Sequence, residues 1–134
     1  MEAKKYPVIE RALKWLIIML MVGFVLGTLL TTVISYMPGK HSAIQTIVLV
    51  IHIVVGVALL FGSLAHIFTS RSSHLLGARP IVGFLLIVGA FVSGSIAAKN
   101  GNNLAVLIMA LCFAAAIVNY GLSYIKVSPL NKTS

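Results

Sequence analysis

The chain has 134 residues, 60% of them hydrophobic and 9% charged, with ten Lys and Arg against two Asp and Glu and a formal net charge of +8. A soluble domain averages about a quarter charged residues, so this chain lacks the polar surface for a water-soluble fold. The composition points to one integral membrane domain, residues 1–134, with no length left for a second soluble unit.

Residues 15–39, 41–70, 80–98 and 100–125 contain no Lys, Arg, Asp or Glu. Each can supply the roughly 20 apolar residues that cross a hydrocarbon core of about 30 Å. Lipid offers the backbone no hydrogen-bond partner, so a spanning segment must satisfy its own polar groups. The alternating polarity of a barrel strand is missing. The reading is an all-α, four-helix transmembrane bundle, with helices near 14–37, 43–69, 79–98 and 103–125.

The first helix carries "GFVLGTLLTTVIS", in which Gly23 and Gly27 form a GxxxG element suited to close helix packing. Its apolar stretch is as long as a span and no small-residue cleavage site follows a short apolar core, so a retained helix is expected, not a cleaved signal peptide. Glu10 precedes the span, which leaves no acidic residue inside any of the four. The "MPGK" break follows, with Pro38 and Gly39 as punctuation. His41, just beyond it, has no carboxylate or cysteine beside it and is not taken as a metal ligand.

The second helix contains "HIVVGVALLFGSLAHIF", residues 52–68, where two histidines interrupt an almost wholly apolar run. Fourteen residues at about 100° each bring His66 to within about 40° of His52, some 21 Å further along the axis. The two share a face with Gln45 and Leu59, and Gly56, Gly62 and Ser63 lie beside them. Small residues there admit another helix or something bulky and flat. A polar ring inside a span marks a functional site by default. The bland alternative is a neutral imidazole bonded to a hydroxyl or carbonyl of a neighbouring helix.

The next break, "SRSSHLLGARP", places His74 among basic residues as a solvated loop position. The third helix has Gly83, Ala90, Gly94 and Ala97 at helical spacing, a packing stripe, and "KNGNN" ends it. The fourth carries Ala105, Met109, Cys112, Ala116 and Asn119 on one side. Cys112 is the chain's single cysteine, which excludes an internal disulfide and a Cys-x-x-Cys motif. Asn119 is suited to bonding across the bundle.

Basic residues orient the bundle. Lys4, Lys5, Arg11, Lys14, Arg71, Arg79, Lys126 and Lys132 fall on one side, Lys40 and Lys99 on the other. Eight against two puts both termini in the cytoplasm of a multi-pass cell-membrane protein. Trp15 and Tyr124 then sit at the inner interface and Tyr36 at the outer one. The sequon Asn131-Lys132-Thr133 falls on the cytoplasmic side, where no glycosylation is expected. The positive charge is an orientation signal with attraction to anionic lipid as a second use, and it requires no nucleic acid.

The His-x13-His spacing of His52 and His66 resembles that of the di-haem membrane cytochromes b. In that family two parallel helices each carry such a pair, and two b haems stack across the bilayer between them. The resemblance covers about seventeen residues. It implies His52 and His66 as axial ligands to haem iron, haem b as cofactor and a respiratory setting that brings in quinone. Gly56 and Gly62 are then expected to line the porphyrin volume. Helices one, three and four contain no histidine, unlike the family, so further ligands must come from elsewhere. A homodimer mate, Met109 in a His/Met site or other membrane subunits could supply them.

Two functions follow. The first is a haem-b-binding membrane electron-transfer protein or the haem-bearing anchor of a quinone-linked respiratory complex. The second is a non-catalytic four-helix accessory subunit that stabilises a larger membrane enzyme. Nothing supplies a Ser/His/Asp set, a carboxylate dyad or a phosphate-binding loop, so enzyme activity by the chain alone is not expected. A proton-coupled exporter is excluded by the lack of an intramembrane carboxylate. A solute transporter is disfavoured by helices without breaks.

Overall fold

The computed structural model describes residues 6–30, 43–71 and 75–132. They form four helices: α1, Tyr6–Leu29; α2, Ala43–Ser70; α3, Arg79–Asn100; and α4, Asn103–Lys132. All four are long and apolar enough to cross a membrane. They are apolar nearly all round, as expected of helices that face lipid on one side and protein on the other. Ile18, Phe61, Phe68 and Ile125 are all 60% exposed or more, so the outer surface presents large hydrocarbon side chains.

The helices form a ring in which α1 packs on α2 and α4, and α3 packs on the same two. Successive helices run in opposite directions. The start of α1 meets the end of α4, where the Tyr124 hydroxyl donates to Glu10 Oε1 at 3.4 Å. The core runs up the axis through Leu13, Leu16 and Leu20 of α1, Leu59 of α2, Ile87 and Ala90 of α3, and Ala116 and Tyr120 of α4.

Two helices extend well past a bound read from the sequence, and the end of the first, residues 31–37, lies outside the described residues. The first begins at Tyr6, not near residue 14, because Ile9, Leu13, Leu16 and Leu20 continue one buried stripe through the charged turn. Glu10 therefore lies inside α1 and not ahead of it. It is buried and paired with Lys14 one turn on, at 2.9 Å. The fourth helix runs past Lys126 and through Pro129 to Lys132, with Val127 still buried against the bundle. Charges mark where lipid ends, and a helix packed on its neighbours need not end there.

The breaks show why the chain turns. Gly101 takes a left-handed φ of 62°, a conformation that favours glycine, and its N–H closes α3 on the Ala97 carbonyl at 2.9 Å. Asn102 then caps α4: its Oδ1 accepts from the N–H groups of Leu104 at 2.9 Å and Ala105 at 3.4 Å. Between α2 and α3 the turn passes through Gly77 at φ 53°, and Pro80 sits in the first turn of α3, where its missing N–H is no loss.

Candidate functional site

His52 stands about a third of the way along α2 and lines a cavity of about 590 Å³ between the four helices. Volumes of about 300–1,000 Å³ are typical of small-molecule sites. Its walls are apolar, with Gly56 from α2, Ile87, Ala90 and Gly94 from α3, and Met109 and Phe113 from α4. Ser95 and Asn103 are polar lining residues, and the Ser95 hydroxyl is turned back to the Phe91 carbonyl at 2.9 Å. Leu49 and Ile53 of α2 and Phe91 of α3 line the cavity and are also exposed on the outside of the bundle. The α2–α3 seam is thus the cavity's lipid-facing wall.

Glycines bring the functional side chains together. A Cβ at Gly27 would lie 3.2 Å from His52 Cε1 and 3.5 Å from Met109 Cε, so both side chains converge on one point of α1. On the opposite wall, a Cβ at Gly94 would lie 3.0 Å from Met109 Sδ. The His52 ring lies near the Gly23 backbone carbonyl and 6.4 Å from the Phe113 ring. Its Nδ1 is buried and has no hydrogen-bond partner. An unpartnered buried imidazole nitrogen is a lone pair or a donor held out of water, and such groups are normally satisfied. With a thioether beside it and apolar walls around it, the arrangement fits a flat apolar group with a metal centre.

His66 is placed differently. It is 1% exposed, and neither the large cavity nor a smaller one of about 30 Å³ reaches it. The Tyr120 ring meets it edge-on at 5.8 Å, and the Ser70 hydroxyl lies 3.3 Å from its ring nitrogens. Gly62 does not line the cavity either. The Trp15 indole of α1 occupies the space where its side chain would be, and even a Cβ would collide with it. The shared face of His52 and His66 is real as helical geometry, but aromatic rings from α1 and α4 close its second half. Around His66 the packed rings leave no space for a bulky flat group, whereas His52 borders a cavity of the size such a group needs.

The packing stripes face inward. Gly23 accommodates Phe113 and Val55, Gly27 accommodates His52 and Met109, and Gly83 accommodates Tyr120 and Asn119. Asn119 bonds across the bundle, donating to the Arg79 carbonyl at 3.0 Å. Cys112 is half-buried beside Gly89. Among the described residues no group of three His, Cys, Asp or Glu could hold a metal ion by itself. His41, His74, Tyr36, Thr133 and the side chain of Gln45 lie outside the described residues.

Sequence reasoning missed the residues that decide the division. Charge and composition mark Trp15 and Tyr124 only as interface aromatics and give no sign of Tyr120 or Phe91. Glu10 was legible: Glu at i and Lys at i+4 is a helical pair, and with Ile9 and Leu13 it signals that the helix begins before the uncharged run. No protein-family model, curated protein or solved structure matches the chain.

Proposed function

We propose that this chain is a haem-b-binding membrane electron-transfer protein, working alone or as the haem-bearing anchor of a quinone-linked respiratory complex. The observation that carries the reading is the cavity of about 590 Å³ lined by His52, Met109 and apolar walls; on the same ring Nδ1 is buried, turned toward α1 and without a hydrogen-bond partner. His52 would hold the iron from α2, with Met109 of α4 as the candidate second ligand; His/Met is an established axial pair. Bound haem supplies one-electron redox chemistry. The chain's own part is to keep water out with Ile87, Phe91 and Phe113, and to fix the His52 ring against α1 at Gly23 and Gly27.

The proposal is for one haem in this chain, not two, since Tyr120 and Trp15 fill the space on the His66 side. His66 is then a polar packing residue between α2 and α4. The bundle is oriented with both termini in the cytoplasm of the cell membrane, supported by the eight basic residues against two. The alternative of a non-catalytic accessory subunit expects Gly23, Gly27, Gly83 and Gly94 at helix contacts, where they lie; the cavity at His52 is what favours the haem reading over it.

The test is a visible spectrum of the full-length protein, expressed with ample haem and purified in detergent. A Soret band that His52→Ala abolishes and His66→Ala retains is the expected result. A wild-type protein without a Soret band, alone and with co-extracted membrane partners, sinks the haem reading. Reporter domains fused at Ser134 and in the 99–103 loop test orientation: cytoplasmic activity at the terminus and external activity in the loop are expected.

A further inference from the structure

A second polar site lies where α3 begins, at the opposite end from the cavity. Arg79 and Gly83 stand one turn apart on α3 and so share a face. The place of a side chain at Gly83 is taken by α4: a Cβ there would lie 2.6 Å from the Tyr120 hydroxyl and 2.8 Å from Asn119 Nδ2. Asn119 in turn holds the Arg79 carbonyl at 3.0 Å. Tyr120 is wholly buried, yet its hydroxyl has no hydrogen-bond partner, and neither has the buried Nη1 of Arg79.

No carboxylate among the described residues answers the guanidinium, since Glu10 is paired with Lys14 at 2.9 Å. The Arg79 side chain is half-buried, and a buried donor nitrogen left without an acceptor is unfavourable. The start of α3 adds to the demand. Ala78 ahead of it offers no side-chain cap; the Arg79 N–H is held by the Leu76 carbonyl and Pro80 has none, so what the helix end adds is the positive end of its dipole. The Arg79 Nη1–H and the Tyr120 hydroxyl are thus two buried donors without an acceptor, beside α3 residues one turn apart.

We propose that the N-terminus of α3 binds a phosphate-bearing anion, with Arg79 supplying charge and Nη1–H and Tyr120 donating its hydroxyl directly or through one water. The chemistry fits the headgroup phosphate of an anionic phospholipid, and equally free phosphate. Basic pockets between membrane helices commonly take such headgroups, and Lys14 and Lys126 lie exposed at this same end of the bundle.

The test uses the full-length protein, purified in detergent and depleted of lipid. Thermal unfolding and native mass spectrometry follow titration with phosphatidylglycerol, phosphatidylcholine or inorganic phosphate. The midpoint should rise with phosphatidylglycerol and not with phosphatidylcholine. Arg79→Gln should weaken phosphatidylglycerol binding by about tenfold or more, as loss of a charged hydrogen bond does. Tyr120→Phe should keep the fold and weaken binding by about threefold to tenfold, whereas Arg71→Gln, on the exposed turn, should bind as wild type does. A rise with inorganic phosphate of the same size assigns the site to the free anion; a rise with phosphatidylglycerol alone assigns it to lipid. If neither raises the midpoint, or if Arg79→Gln binds as tightly as Arg71→Gln, the proposal is overturned. Should Arg79→Gln fail to fold, Arg79→Lys carries the decision: it keeps the charge but not the planar fork, and unchanged affinity in it is equally fatal.

Discussion

His52 and His66 sit on one helix, in similar apolar sequence, yet one lines a cavity of about 590 Å³ and the other is walled in at 1% exposure. The difference does not lie in α2. Around His52 the facing residues are Gly27, Gly94 and the flexible Met109, which leave volume unfilled. Around His66 they are Tyr120 and, one turn earlier at Gly62, Trp15, large rings seated on glycines. The same device, a glycine opposite a larger side chain, produces space at one end and closure at the other. What matters is whether the incoming side chain fills the gap.

The sharpest way to break this comparison is to add carbon at the glycines. A Cβ at Gly62 would overlap the Trp15 ring, and one at Gly83 would crowd the Tyr120 hydroxyl at 2.6 Å. Overpacking of this kind costs about 1–3 kcal/mol for a small addition, so Gly62→Ala and Gly83→Ala should lower the unfolding midpoint clearly. Gly62→Leu and Gly83→Leu should prevent recovery of a monodisperse protein. At the open end the same change meets little: Gly56 has only the Phe91 ring at 3.5 Å, an ordinary contact. Gly56→Ala should leave the midpoint near wild type. Equal sensitivity at Gly56 and Gly62, read by thermal scans in detergent, would contradict the division into a closed and an open half.

The histidines give the next contrast, and here stability and spectrum should separate. His66→Ala removes a fully buried ring from between Ser70 and Tyr120, and large-to-small changes at such sites cost about 2–5 kcal/mol. His52 already borders empty volume, so His52→Ala should cost about 1 kcal/mol, near the centre of the range for single substitutions. The spectral effects run the other way: haem absorption should disappear with His52→Ala and survive in whatever His66→Ala protein folds. A His66→Ala protein that folds well but loses half its haem would restore the two-haem arrangement and undo the reading of His66 as packing.

Much of the bundle was legible because one physical rule, the exclusion of charge from lipid, writes span lengths directly into sequence. It marks lipid boundaries better than helix ends, and so α1 was read to start near residue 14 although Leu13 and Ile9 carry its buried stripe back to Tyr6. The candidate site was legible in part. Periodicity puts His52, Gly56, Gly62 and His66 on related faces, and Met109 is one of the alternatives it leaves for a second ligand. Periodicity says nothing about what stands opposite, because Trp15 and Tyr120 arrive from helices far away in the chain. That tertiary fact decided which glycines face a cavity. Nor did the sequence reading give Arg79 any role beyond orientation, since an unpartnered guanidinium nitrogen shows only once the helices are packed.

The smallest change tests the finest point, the role of Met109. Its side chain is buried between Gly27 of α1 and Gly94 of α3, with its methyl group toward the contact it shares with His52. Leucine conserves the volume, and Met-to-Leu exchanges in cores usually cost less than about 1.5 kcal/mol, so Met109→Leu should fold and keep the cavity. It removes the sulfur alone. If Met109 completes the iron coordination, the variant should still bind haem through His52 but lose the six-coordinate, low-spin spectrum and bind carbon monoxide readily when reduced. If the variant's spectrum is indistinguishable from wild type while His52→Ala remains colourless, the second ligand comes from a partner chain, and the wild-type protein should then lose its low-spin spectrum on dilution to the monomer. Met109→His separates these outcomes further, because a second imidazole at that position should give a bis-histidine spectrum only if Met109 faces the iron.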